Sequence, residues 1–432
     1  MTDPAAPSSP LQIRDFRLYW ISRFSAVLAT MGMVVILGYQ VYDTARGPAY
    51  DMSVRDAAFY LGLVGLAQFL PLFVLTPVAG WVADRFERRT VVRVANTIDF
   101  GVAATLALMT SQGALSLPLL FGMAALHGVA RVFIAPASSA IAPNIVPPAL
   151  LPKAIAMSSI AWQSASVAGP ALAGFLYAAH PSAPYFLSAA LFLLATLAIT
   201  PIRRIVPPPL DATRRPVQQM VDGLSYVRGH RFLFGAITLD LFAVLLAGAT
   251  AMLPVYARDI LKVGPEGLGW LRAAPAVGAA AVALLFAVRP LKHDVGVKML
   301  AAVGAFGLST VVFGYSESFP LSLAALAALG GFDMLSVYVR SSLVQLHTPD
   351  AMRGRVSAVS GLAISASNEL GEVQSGLAAA LLGPVGAVVF GGIGAVVVAA
   401  AYAIFFPELR RARTFDPPPT ALPDAVMQEK PA

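Results

Sequence analysis

Apolar stretches of about 20 residues recur down this chain between short charged turns, and they leave few folds open to it. Each is long enough to cross a bilayer as a helix, the conformation in which a single segment satisfies its own backbone hydrogen bonds. Of the 432 residues, 57% are hydrophobic and only 12% are charged. Soluble domains carry roughly 25% charged residues, so this is the composition of a polytopic membrane protein. The pattern predicts an all-α integral membrane protein with twelve transmembrane helices in two sets of six. The first bundle covers 14–202 and the second 231–407, with a linker over 203–230 and polar tails at 1–13 and 408–432. The first tail lacks the short apolar core of a secretory signal.

Charge fixes the expected orientation. Arg14, Arg17 and Arg23 precede or open helix 1, Arg203, Arg204, Arg214, Arg215, Arg228 and Arg231 crowd the linker, and Arg410, Arg411 and Arg413 follow helix 12. Outside turns hold only Arg46, Arg55, Arg258 and Lys262, while Arg131, Arg272 and Arg340 fall within spans. Positive charge gathers on the cytoplasmic side, so both termini are expected there. The net charge of +7 is accounted for this way and gives no nucleic-acid signal. The linker holds Pro207-Pro208-Pro209, then Val217, Val221, Leu224 and Val227 at helical spacing, which predicts a short amphipathic helix on the membrane surface.

The turn between helices 2 and 3 is nearly all charge. Gly80 ends an apolar run, and Asp84, Arg85, Glu87, Arg88 and Arg89 follow before the next. Gly80, Asp84, Arg85, Arg88 and Arg89 resemble the loop signature of the major facilitator superfamily, with Glu87 where that family often has glycine. In helix 5, Gly169, Pro170 and Gly174 resemble the superfamily's exporter signature, with Ala165 and Ala173 replacing two glycines. The Arg353-Gly354-Arg355-Val356 turn and Asn368-Glu369-Leu370-Gly371 are similar to the enterobactin-exporter-like branch of transmembrane secretion effectors, which also contains macrolide efflux pumps. The resemblance implies two six-helix repeats and export of a siderophore or drug. Weak echoes such as Ser138-Ser139 and Ser341-Ser342 fit such a repeat.

The charge pattern itself predicts a cytoplasmic gate. Asp84 is expected near the N-terminus of helix 11, where a carboxylate is favoured, pairing with Arg353 or Arg355 across the two halves. Within the spans, Asp240, Asp333, Glu369 and Glu372 are the acids that face an interior by expectation, because an intramembrane charge is costly unless it serves a cavity or a partner. Glu369 and Glu372 are three apart and share a helix face with Ser365, Asn368 and Gly376. Buried carboxyl groups exchange protons closer to neutral pH, so proton antiport is the expected drive, with Glu369 the first choice for coupling. Asp240 is as readily a structural ion pair, and Asp333 shares a face with Arg340. Arg131 is expected to pair with an acid across the cavity rather than to hold substrate. His127, one turn earlier, is expected to be a satisfied interior histidine, and Asp99 a gate or packing residue.

The sequence holds no phosphate-binding glycine loop, no recognisable catalytic triad and no metal-ligand spacing, and it has no cysteine. A non-enzymatic, cofactor-free monomer is expected, with a small amphipathic organic molecule, protons and the lipid bilayer as its partners. A lipid or lysolipid flippase on the same fold, and a non-transporting receptor or scaffold, are the alternatives.

Overall fold

A computed structural model describes residues 9–139, 141–205, 216–289 and 291–415, with the side chains of Pro77, Asp84, Pro216, Val217, Gln219, Ala287, Asp350 and Ala351 outside that description. The first six long helices are α1 (Arg14–Ala45), α2 (Val54–Arg85), α3 (Arg88–Ser111), α4 (Leu117–Ser139), α5 (Leu151–Ala179) and α6 (Ala183–Ile199). A linker helix, Pro216–Gly229, leads into α7 (Arg231–Leu246), α8 (Gly264–Val288), α9 (Val295–Tyr315) and α10 (Phe319–Leu346). The helical run Asp350–Phe405 is two arms, α11 (350–382) and α12 (384–405), parted at Gly383. No strand occurs among the described residues. Gly383 takes φ 78° and ψ 165°, a conformation open essentially to glycine, and Pro384 starts the next arm with a preset φ. The chain thus reverses without a loop.

Nine helices among the described residues are long and apolar enough to cross a membrane, counting Met352–Phe405 once. The 17-residue α6 is shorter. The 29-residue α5 lies outside the nine and carries Ser158, Ser159, Gln163, Ser164 and Ser166 through its middle. Large apolar side chains such as Phe73, Leu284 and Leu381 point outward, the pattern of a bundle solvated by lipid.

The two sets of six pack alike. In the first, α1 lies against α5 and α6, α2 against α4, and α3 against α4 and α6. In the second, α7 lies against the α11–α12 run, α8 against α10, and α9 against α10 and that same run. Two crossings join the halves: α2 with the α11–α12 run, and α5 with α8. Shifting every number by six turns one crossing into the other. The weak Ser-Ser echo in the sequence thus belongs to a strong repeat in packing.

Both crossings rest on glycine and lie at the end of the bundle opposite the chain termini. A Cβ on Gly62 would come within 2.6 Å of the Gly376 Cα, and one on Gly174 within 2.7 Å of the Gly269 Cα. Backbones this close exclude side chains and gain dispersion contact instead. The same end carries Asp43–Arg258 at 3.0 Å, Arg46–Asp259 at 3.9 Å and a Tyr42 hydroxyl donating to Asp259, all between the halves. At the termini end a Cβ on Gly80, Gly354 or Gly361 would meet nothing within 4 Å. The halves therefore meet at the far end and part towards the termini. Gly376→Leu is expected to cost about 1–3 kcal/mol by overpacking and to lower the unfolding temperature in detergent. Gly354→Leu is expected to leave it unchanged. Equal shifts for the two variants would remove the asymmetry.

The linker helix forms where the Val221, Leu224 and Val227 spacing predicts it. Val227 is buried, Val221 and Leu224 are exposed, and the side chain of Val217 lies outside the described residues. Arg214, Arg215, the three linker prolines and the C-terminal tail from Asp416 also lie outside them.

Candidate functional site

A cavity of about 540 Å³ lies between the halves, walled by α1, α2, α4 and α5 on one side and by α7, α8, α9, α10 and α11 on the other. Five ionisable side chains line it: Arg131, Arg272, Asp333, Glu369 and Glu372. Two cations and three acids leave it formally negative. Three of the helices around the cavity are interrupted where they reach it. Pro170 bends α5 and Pro275 bends α8, and both prolines line the wall.

The sharpest interruption ends α7. After Leu246 the helix stops, Ala247 and Gly248 leave helical geometry, and a short 3₁₀ turn (Ala249–Met252) and a π turn (Tyr256–Ile260) carry the chain on. Ser375 Oγ donates to the freed Gly248 carbonyl at 3.2 Å. Ala247, Gly248 and Thr250 line the cavity, so irregular backbone occurs where a cavity borders it. An unbroken helix over 232–256 is the sequence expectation. The break differs because Ser375 of α11 donates to its freed carbonyl and Gly371 lets the backbone approach closely, a tertiary contact that Gly248 alone does not announce.

Arg131 spans the halves. Its Nη1 lies 3.3 Å from Glu369 Oε1 and donates to Gln68 Oε1 at 3.1 Å. Glu369 is 14% exposed and Arg131 31%, so the pair faces the cavity without being sealed from it. Glu372, one turn on, packs against Gly65 of α2, where a Cβ would fall 2.8 Å from its Oε2. Arg272 and Glu372 share a smaller adjoining pocket with Gln68. Arg272 Nε is buried without a hydrogen-bond partner. Arg272 is visible in the sequence as a lone span cation, and its place opposite Glu372 follows only from the packing of α8 against α5.

Asp240 does not line this cavity. It pairs with Arg340 between α7 and α10, with side chains 9% and 4% exposed. Arg340 therefore answers Asp240, and Asp333 turns to the cavity instead. Asp99 and His127 pair at 2.8 Å between α3 and α4, both fully buried.

Around the candidate gate, Arg85 lies over the Trp81 ring at 5.4 Å. Arg89 pairs with Glu87 at 3.0 Å and donates to the Thr200 carbonyl at 3.1 Å, which ties the α2–α3 turn to the end of α6. Arg355 meets Asp222 of the linker helix at 3.6 Å. Gly80 and Arg353 are part of the open termini end, and Arg88 is partly buried in the same turn. The expected contact of Asp84 with Arg353 or Arg355 concerns a side chain outside the described residues. In α5, Gly169 packs on the Leu28 carbonyl of α1 and Gly174 on Gly269, so this stretch makes one contact within its half and one across to the other.

Two like-packed sets of six helices around a charged central cavity define a transporter of the major facilitator fold. The POT family transporter PepTSo shares that fold, with a TM-score of 0.72 and 15% identity over 94% of this chain and 99% of that one. A model of the transmembrane secretion effector family matches residues 5–429, and the chain belongs to that family. Among its relatives, the enterobactin exporter EntS of Escherichia coli is 26% identical over 418 residues, 94% of this chain and 95% of the relative. The protein of the same name from Citrobacter koseri is 27% identical over the same shares.

Proposed function

We propose that this chain is a twelve-span exporter of the bacterial inner membrane that moves a small amphipathic organic molecule, of the siderophore or drug kind, by proton antiport and alternating access. The observation that carries this reading is the Arg131–Glu369 pair, which joins the halves inside the central cavity with Glu372 one turn away. A charge-assisted hydrogen bond of this kind is worth roughly 1.5–3 kcal/mol. Protonation of Glu369 removes its charge and releases Arg131. The freed guanidinium then takes an anionic or polar group of the substrate, and the contact between halves is replaced by a contact to cargo. Exporter relatives over nearly the whole chain support the direction of transport. The basic turns predict cytoplasmic termini, and on that orientation the open end loads substrate from the cytoplasm.

The test is transport by the purified protein in proteoliposomes under an imposed pH gradient, with a panel of siderophores and lipophilic drugs. The expected result is substrate movement that requires the gradient and moves protons the opposite way. Substrate movement indifferent to the gradient would remove the antiport mechanism and leave a facilitator.

A further inference from the structure

A second chamber of about 430 Å³ lies on the termini side of the central cavity, within the first half of the molecule. It meets the central cavity at Met31, Leu72, Arg131 and Ser365, which line both. We propose that this vestibule binds the anionic, aromatic end of the transported molecule before it reaches the central cavity. The proposal rests on the exporter reading and names the class of its substrate.

Charge is the first ground. Among the described residues, Arg23 and Arg131 line the vestibule and no Asp or Glu does, whereas the central cavity carries three acids to two cations. The two chambers are opposite in formal sign, with Arg131 at the border. Arg131 already faces Glu369, but Arg23 has hydroxyls alone for partners, and an anion that enters beside a cation in a low-dielectric wall recovers part of the cost of burying it.

Unmet hydrogen bonding is the second ground. Asn96 of α3 lines the chamber, is fully buried, and neither its Oδ1 nor its Nδ2 has a partner. Arg23 uses Nη1 on the Tyr19 hydroxyl at 3.1 Å and on Ser138 Oγ at 3.4 Å, which fixes its direction, while its Nε is buried without a partner. A buried polar group without a hydrogen bond costs roughly 1–3 kcal/mol, so these groups favour a ligand with acceptor oxygens.

The wall opposite supplies the third ground. Trp162 of α5 lines the chamber and is 45% exposed, with Val27, Leu72 and Ile134 beside it. An indole and a guanidinium that line one chamber suit a flat ring that ends in an acidic group. The serines that keep α5 outside the strongly apolar helices stand on either side of Trp162.

Binding of naphthalene-2-sulfonate to the full-length protein in lipid nanodiscs tests this, with empty nanodiscs subtracting partition into lipid. Neutral naphthalene-2-sulfonamide and cyclohexanesulfonate serve as probes of charge and ring. Wild type is expected to bind the sulfonate at least about tenfold tighter than the sulfonamide, a difference of about 1.4 kcal/mol. Arg23→Gln is expected to erase that preference and Arg23→Lys to retain most of it. Trp162→Ala is expected to weaken the naphthalene anion and not the cyclohexane one. Equal binding of sulfonate and sulfonamide by wild type, or an undiminished preference in Arg23→Gln, would overturn the proposal. The wild-type comparison decides even where a variant fails to fold. Gradient-driven transport with no preference for anions would retire the vestibule and keep the exporter. Anion preference with no cargo moved under any gradient would keep the vestibule and retire the exporter.

Discussion

Glu369→Gln is expected to abolish substrate-driven proton movement in proteoliposomes while the protein folds, inserts and binds ligand. The amide keeps the size of the side chain and its acceptor oxygen, so the Arg131 contact at 3.3 Å weakens without a void. What it removes is the carboxyl group proposed to carry the proton. Proton flux is expected to fall at least about tenfold, to the leak of empty vesicles, because among the described residues the neutral Gln68 is the other hydrogen-bond partner of Arg131. Glu372→Gln separates the two acids. It packs against Gly65 and shares a pocket with Arg272, so its loss is expected to slow transport rather than to uncouple it. Full proton coupling in Glu369→Gln, with coupling lost in Glu372→Gln, would move the coupling site one turn along α11.

Asp240→Ala is expected to show the largest stability loss of any single change considered. Arg340 is 4% exposed and would be left with a buried, uncompensated charge, a situation that costs roughly 3–5 kcal/mol. Thermal unfolding in detergent, followed by size-exclusion chromatography, reads this directly. The double change Asp240→Leu with Arg340→Met removes both charges and is expected to recover most of the loss. Failure of the double variant to recover would mean that the pair serves more than its own neutralisation. Transport by the recovered variant then reports whether Asp240 has any part in coupling, as the sequence first allowed.

The fold was legible because the bilayer demands long apolar helices and leaves the charges at their ends. Hydropathy alone draws these helices over 91–110, 151–179, 295–315 and 320–346, within a few residues of the observed ends of α3, α5, α9 and α10. The cavity acids were legible for the same reason: Glu369, Glu372 and Asp333 stand out against apolar runs. Three things were not. The arrest of α7 at Ala247 depends on the hydroxyl of Ser375, more than a hundred residues away. The choice between Asp240 and Asp333 as partner of Arg340 depends on how α7 and α10 rotate against each other, which spacing along one helix does not encode. The opposite signs of the two chambers depend on Arg23, which the sequence presents as one more basic residue at the start of α1.

The glycine crossings also bear on how the halves can separate. A contact made by long side chains stretches; rotamers shift and the attraction fades gradually. Backbone against backbone at Gly62–Gly376 and Gly174–Gly269 has no such slack. A gap of 0.5–1 Å already forfeits about a quarter to a half of the dispersion energy. The far end is therefore brittle rather than elastic. It holds until the load exceeds a threshold and then lets go at both crossings together, because the two are related by the same six-helix shift. In the proposed alternating-access cycle such a seal leaves few half-open states, so ion leakage past the cargo would be limited by the mechanics of the seal rather than by a dedicated door.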